Sequence, residues 1–142
     1  MNGAMRARGI CMFLAGVLLW CGAARGEPSA EPSRLCVVWS SADPDVAKNV
    51  CLMYALNAKK MKWFDDVHLL VWGPSAKLLA EDQALQAEVK AMRELGVVAE
   101  ACIVCAQRYG VDDDLKALGL DVRKMGQPLS DRLKGDWKVI TF

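Results

Sequence analysis

The chain of 142 residues has little net charge, a single histidine and no uncharged apolar run as long as a membrane span. Its 18 lysines and arginines nearly balance 17 aspartates and glutamates, for a formal net charge of +1, which argues against nucleic acid as a partner. Its single histidine, His68, and one Cys-x-x-Cys pair supply too few ligands for a closed zinc site. Because a Gly-rich phosphate loop, a nucleophile elbow and a triad pattern are also missing, we predict neither a metal nor a cofactor.

The first 26 residues have the pattern of a secretory signal peptide. Arg6 and Arg8 precede an uncharged apolar segment that extends to Arg25 and ends in small residues. The small-x-small sequence "ARG" predicts cleavage after Gly26, which makes the mature charge slightly negative. We therefore expect a protein of the periplasm or the cell exterior.

Two other interpretations of this segment are weaker. The uncharged segment is shorter than the roughly 20 apolar residues that cross a bilayer, so we expect no stable membrane anchor. Lipoprotein processing at Cys21 would need a small preceding residue, and Trp20 is large. Cleavage and release remain the prediction.

The rest of the chain is predicted to be a flexible linker, residues 27–34, and a single α/β domain, residues 35–142. Continuous apolar segments at 35–40, 67–72 and 97–104 predict buried strands, and "DVRKM" and "WKVITF" predict two more. Helical patterns lie between them. The first, from Asp43 to about residue 62, has an apolar stripe, and a second follows Pro74 up to Gly96. The stripe is formed by Val46, Val50, Met53, Tyr54 and Asn57.

This alternation predicts a mostly parallel sheet with helices on both faces. In such folds ligands bind beyond the carboxyl ends of the strands. Three segments, "SSADP", "WGPSA" and "CIVCAQ", should meet there. Their candidate ligand-binding residues are Trp39, Ser40, Ser41, Trp72, Ser75 and Arg108.

Cys102 and Cys105 form the strongest candidate site. Cys102 ends the third predicted strand, and Cys105 opens a short predicted helix that ends at Gly110. Unpaired N–H groups and the helix dipole at the start of a helix favour thiolate. Two structural cysteines are the alternative, since cysteine is often buried. A thioredoxin-type oxidoreductase normally has this motif after its first strand, and here it follows the third. Cys36 and Cys51 are predicted to lie in the core.

Four segments of the chain resemble the DsrE/DsrF-like family, whose members include sulfur-relay proteins. They are "VVWSSADPDVAKNVCLMYALNAKK", "VHLLVWGPSAKLLAED", "ACIVCAQRYGV" and "GDWKVITF". The resemblance extends from about Leu35 to Phe142. It implies a five-stranded three-layer α/β/α fold, a sulfur-accepting cysteine at Cys102, and oligomers often built from trimers. Arg108 and Gly110 belong to the same motif, and Cys105 is an additional thiol.

Two departures from the resemblance matter for function. Known relay members work in the cytoplasm, whereas this chain has an export pattern, and Cys105 could close a disulfide with Cys102. The first hypothesis is an exported protein that carries sulfur as a persulfide, exchanging it with a protein or small sulfur compound, or releases it reductively. The alternatives are a non-catalytic ligand- or partner-binding module with structural cysteines, and general thiol–disulfide exchange.

Overall fold

The fold was analysed in a computed structural model, which describes residues 32–142. Its centre is a five-stranded sheet with the order β4-β3-β2-β1-β5, and every neighbouring pair is parallel. The predicted signal peptide and residues 27–31 of the predicted linker lie outside the described residues. The strands are β1 (Arg34–Trp39), β2 (Asp66–Val71), β3 (Val98–Cys102), β4 (Asp121–Arg123) and β5 (Lys138–Thr141).

Helices connect the strands, as parallel pairing requires. The first connection contains three consecutive helical segments and the second contains two helices. In residues 32–142 no helix is long and apolar enough to cross a membrane. The segments are α1 (Pro44–Val46), a π-helical segment (Ala47–Leu52), α2 (Met53–Lys60), α3 (Ser75–Glu81), α4 (Gln83–Glu94), α5 (Ile103–Tyr109), α6 (Asp112–Ala117) and α7 (Gly126–Lys134).

The predicted fold class is confirmed, but the second connection differs from the single helix expected after Pro74. Asp82 ends α3 with extended backbone (φ −104°, ψ 103°) and begins α4. Its side chain accepts hydrogen bonds from the N–H groups of Ala84 and Leu85. An aspartate is a strong N-cap, so it starts a new helix where the apolar pattern alone suggested continuity.

The apolar stripe predicted for the first helix is displaced by one position, and Tyr54 is the predicted member that packs against the core. Val50 and Met53 are exposed, at 40% and 52%, whereas Cys51, Ala55 and Ala58 are fully buried. The fully buried residues Ala47, Cys51, Ala55 and Ala58 follow ordinary helical spacing, each one position after a member of the predicted stripe. Small residues consequently form the contact with the sheet.

The two faces of the sheet are covered unequally. Alternate strand residues point to opposite faces, and the face that packs against α1–α6 has the larger core. The other face contains the buried side chains of Cys36, Val38, Leu70 and Cys102. In the described part of the chain, α7 and Trp137 cover this second face, with Met125 buried at the start of the helix.

Candidate functional site

A pocket of about 560 Å³ lies beyond the carboxyl ends of β2, β3 and β4. The first turn of α5 forms one wall and the first residues of α7 form another. This is the edge of a parallel sheet where ligands commonly bind. The lining residues are Trp72, Cys102, Val104, Cys105, Arg108, Lys124, Met125, Gly126 and Gln127.

Cys102 is the N-cap of α5, with extended backbone at φ −74° and ψ 111°. The helix therefore starts at Ile103, and the prediction that Cys105 opens it was wrong. Ile103 and Val104 are apolar and resemble a strand in sequence, yet they form the first helical turn. Cys102, the residue that the family motif also indicates, therefore occupies the N-terminal end of this helix. Its side chain is buried, at 4% exposure.

Cys105 is the third residue of α5 and is half-buried. Burial raises the pKa of its thiol above the ordinary 9.0, and the adjacent Cys102 thiol raises it further. The backbone N–H of Gly73 and the charge of Arg108 lower this pKa, but they do not offset burial. The expectation of a depressed pKa at Cys105 was therefore wrong, because desolvation outweighs the helix dipole at this depth.

Arg108 and Lys124 are the cationic residues of the pocket lining. Both are exposed, and neither has an ion-pair partner among residues 32–142. The walls between them are largely apolar, from Trp72, Val104 and Met125. The pocket thus combines two thiols with uncompensated positive charge.

Four of the predicted ligand-binding residues lie outside this pocket. Trp39 is fully buried in the larger core, on the opposite face of the sheet. Ser75 is fully buried, and its hydroxyl bonds the Trp39 and Trp72 carbonyls and the Trp72 N–H, which ties the ends of β1 and β2 together. Ser40 donates to the carbonyl of Phe142 at 2.9 Å.

The fourth of these residues, Ser41, accepts from the backbone N–H of Asp43 at 3.0 Å. This local bond stabilises the loop that follows β1. The pocket accordingly brings together only part of the predicted set: Cys102, Cys105, Arg108 and Trp72.

The sequence did not indicate a buried ion pair between Glu100 and Arg132, which lies on the face of the sheet that α7 covers. Arg132 Nη1 lies 2.7 Å from Glu100 Oε2, and Nη2 donates to Oε1 at 2.9 Å. The two side chains are only 2% and 9% exposed. Arg123 adds a third hydrogen bond to Oε1 at 2.7 Å. A bidentate arginine–carboxylate pair fixes both distance and orientation, so it holds α7 in one position on β3.

His68 and Cys36 extend this cluster across the sheet. His68 Nδ1 is 3.1 Å from both Glu100 Oε2 and Arg132 Nη2. The guanidinium only donates and the carboxylate only accepts. Nδ1 therefore accepts from Arg132 in the tautomer without a proton on Nδ1, and donates to Glu100 in the tautomer with one. Arg132 Nη1 also donates to Cys36 Sγ at 3.5 Å, and its guanidinium lies 4.8 Å from the ring centre of Trp137.

The charge of Glu100 is strongly stabilised. Burial raises its pKa, but hydrogen bonds from His68 and Arg132 and the positive charge of Arg132 outweigh burial and bring the pKa from 4.5 to about 2. The sequence signal was an acid within the apolar segment "VVAEACIV". A buried carboxylate needs a partner, but the sequence does not identify which arginine supplies it.

Metal binding has no obvious location in residues 32–142, where no group of three or more histidine, cysteine, aspartate or glutamate side chains could hold an ion. The core cysteines agree in position with the prediction, since Cys36 and Cys51 are both fully buried.

Comparison with known proteins identifies the family. No curated protein matches the chain. A solved structure of a conserved protein of unknown function, BT1422 from Bacteroides thetaiotaomicron, is 35% identical, covers 78% of this chain and 95% of its own, and superposes with a TM-score of 0.74. The ychN protein from E. coli has the same fold, with 17% identity, 78% and 99% coverage and a TM-score of 0.61. The model of the DsrE/DsrF-like family matches residues 33–142, and the chain belongs to that family.

Proposed function

We propose that the protein accepts sulfane sulfur on Cys102 and carries it as a persulfide. The observation that carries this proposal is the position of Cys102, which caps α5 at the base of a pocket that also contains a second thiol and two cations. The unpaired N–H groups of the first helical turn and the side chains of Arg108 and Lys124 are suited to an anionic sulfur group. Membership of a family with sulfur-relay proteins supports the same chemistry.

The first step is a sulfur transfer without net oxidation. The Cys102 thiolate attacks the outer sulfur of a donor R–S–SH, a bond forms between Sγ and that sulfur, and the donor S–S bond breaks. R–S⁻ leaves, and Cys102–S–SH remains. Its proton is lost readily, since persulfides are more acidic than thiols, and the anion then faces the pocket cations.

Cys105 provides a second step. Its thiolate attacks Sγ of the Cys102 persulfide, which closes a Cys102–Cys105 disulfide and releases HS⁻. The sulfane sulfur is reduced and the two thiols are oxidised, so an external dithiol must restore them. The side chains are neighbours at the start of α5, and the Cys102 thiol already affects the pKa of Cys105.

Matched serine variants test both steps. The reduced protein is treated with hydropolysulfide, and intact mass and released sulfide are measured. We expect wild type to gain one sulfur and then release sulfide, Cys105→Ser to retain the sulfur, and Cys102→Ser to gain none. Full sulfur uptake by Cys102→Ser would overturn the assignment. A lack of uptake by every form would favour a binding module, and turnover on a disulfide without uptake would favour thiol–disulfide exchange.

We also propose that the chain is exported, cleaved after Gly26, and assembled into a trimer-based homo-oligomer. The support for export is the charge and apolar pattern of residues 1–26. Intact mass of protein recovered from the export compartment should correspond to a chain that starts at Glu27, and analytical ultracentrifugation should give a multiple of three subunits. A full-length mass contradicts cleavage, and a monomer contradicts the assembly.

A further inference from the structure

We infer that the pocket selects donors that carry an organic carboxylate, so that its preferred substrates are small, acidic organic persulfides. This inference rests on the proposed function and adds the chemical class of the donor. Three features carry it: the charge of the lining, its apolar walls and its volume.

The charge of the lining is entirely positive. Arg108 and Lys124 are its charged members, and no carboxylate of the described residues contributes to it. The acids nearby are engaged elsewhere: Glu100 bonds Arg132, and Asp121 accepts from Arg123 Nε at 2.6 Å. An anionic ligand therefore finds two cations without competing partners.

The cations are separated from the thiols in a way that suits a ligand with two functional ends. Cys102 is at the base, and Arg108 is one turn beyond Cys105 along α5, so it lies nearer the exposed end of the pocket. A donor whose sulfur lies at Cys102 and whose other end is negatively charged would place that charge close to Arg108. Lys124 reaches the pocket from the segment between β4 and α7.

The size and walls of the pocket favour an organic donor over a purely inorganic one. A volume of about 560 Å³ is within the range of roughly 300–1,000 Å³ that is typical of sites for small organic ligands. Trp72, Val104 and Met125 offer apolar contacts that a carbon chain can use. Hydropolysulfide would have charge but no carbon chain to place there.

Two isosteric donors test the inference: the persulfide of 3-mercaptopropionate and the persulfide of its amide. They differ in one charge, so the ratio of their sulfur-transfer rates measures the contribution of the carboxylate. We expect sulfur transfer to wild type to be about five- to tenfold faster from the acid at low salt, and the ratio to fall as salt screens the exposed cations. Inorganic hydropolysulfide, as a third donor, should be slower than the acid.

Variants assign the selectivity to the pocket. In the double variant Arg108→Gln/Lys124→Gln the acid-to-amide ratio should approach one. Lys60→Gln removes one positive charge at the C-terminal end of α2, at the other end of the strands, and should leave the ratio unchanged. Equal rates in wild type, a ratio that survives in the double variant, or faster transfer from hydropolysulfide would overturn the inference.

A binding measurement separates this inference from the proposed function. The S-methyl thioether of 3-mercaptopropionate cannot transfer sulfur, but it should slow alkylation of Cys105 more than the corresponding amide does. Such protection without any persulfide formation would retain the acidic-ligand pocket and refute the sulfur chemistry. Equal protection by acid and amide, together with normal persulfide formation, would refute the preference for acidic ligands and support the sulfur chemistry.

Discussion

Glu100 and Cys102 lie two positions apart on β3, so their side chains point to the same face of the sheet. Glu100 binds Arg132 of α7, and the first residues of α7 form a wall of the pocket above Cys102. The buried ion pair therefore connects the strand that carries the thiol to the helix that encloses it.

Breaking this pair should destabilise the protein strongly. Arg132→Met leaves the Glu100 carboxylate buried with fewer donors, and removing one partner of a buried pair typically costs about 3–5 kcal/mol. Urea denaturation measures the loss. Lys77→Met is the matched control, because Lys77 and Glu81 are exposed and 3.9 Å apart, and it should cost less than about 1 kcal/mol. Equal losses in the two variants would contradict the role assigned to Arg132.

The same pair should make stability depend on pH. The pKa of Glu100 is about 2 in the folded protein, below the ordinary 4.5, so its contribution is complete above pH 4.5 and is lost as the pH falls towards 2. The difference in unfolding free energy between wild type and Glu100→Gln should therefore narrow across that interval. Urea denaturation at several pH values checks it, and a constant difference would show that the carboxylate is not stabilised as described.

The four described thiols should differ in alkylation rate. Cys105 is half-buried at the pocket, Cys102 is 4% exposed at its base, and Cys36 and Cys51 are fully buried. Burial also raises the pKa of Cys51 to about 12. Peptide mapping after iodoacetamide treatment should show Cys105 labelled first, Cys102 second, and the core pair only after unfolding. Labelling of Cys51 before Cys102 would contradict this order.

Release of α7 should expose Cys102 selectively. Because Arg132 anchors α7 and Met125 is buried beside Cys102, Arg132→Met should increase Cys102 alkylation several-fold and leave Cys51 protected. Parallel acceleration at Cys51 would indicate general unfolding, and an unchanged Cys102 rate would show that α7 does not limit access.

Gly110 should be needed to end α5. It has φ +68°, a left-handed conformation that side chains with a Cβ rarely adopt, so Gly110→Ala should cost about 1 kcal/mol. Gly126→Ala is the control, since Gly126 is outside the left-handed region and an added Cβ there meets no atom within 4 Å. Thermal denaturation compares them, and an equal effect of both changes would exclude the backbone explanation.

The features predicted correctly from the sequence depend on local patterns. Apolar segments between turn residues revealed the strands, their alternation with helices revealed the parallel sheet, and Gly110 marked the end of α5. The boundary at Cys102 was misplaced by two residues, because Ile103 and Val104 are equally compatible with a strand. The pocket walls from α7 lie more than twenty residues beyond the cysteines, so no local pattern indicated them.

The partners of the buried carboxylate of Glu100 could not be predicted from the sequence. Glu100 and Arg132 are 32 residues apart, and His68 is another 32 residues before Glu100. The sequence shows that a carboxylate in an apolar strand needs a partner, but several arginines could supply it. Similarly, the competition between burial and the helix dipole at Cys105 depends on depth, which only the assembled fold defines.

The central claim is that Cys102 is the residue that receives sulfur. The most direct measurement is to treat reduced wild-type protein with 3-mercaptopropionate persulfide, trap persulfides with an alkylating agent, and locate the additional sulfur by tandem mass spectrometry of the peptide that contains both Cys102 and Cys105. We expect the sulfur on Cys102 at early times, followed by a Cys102–Cys105 disulfide. Early sulfur on Cys105, with none on Cys102, would contradict it.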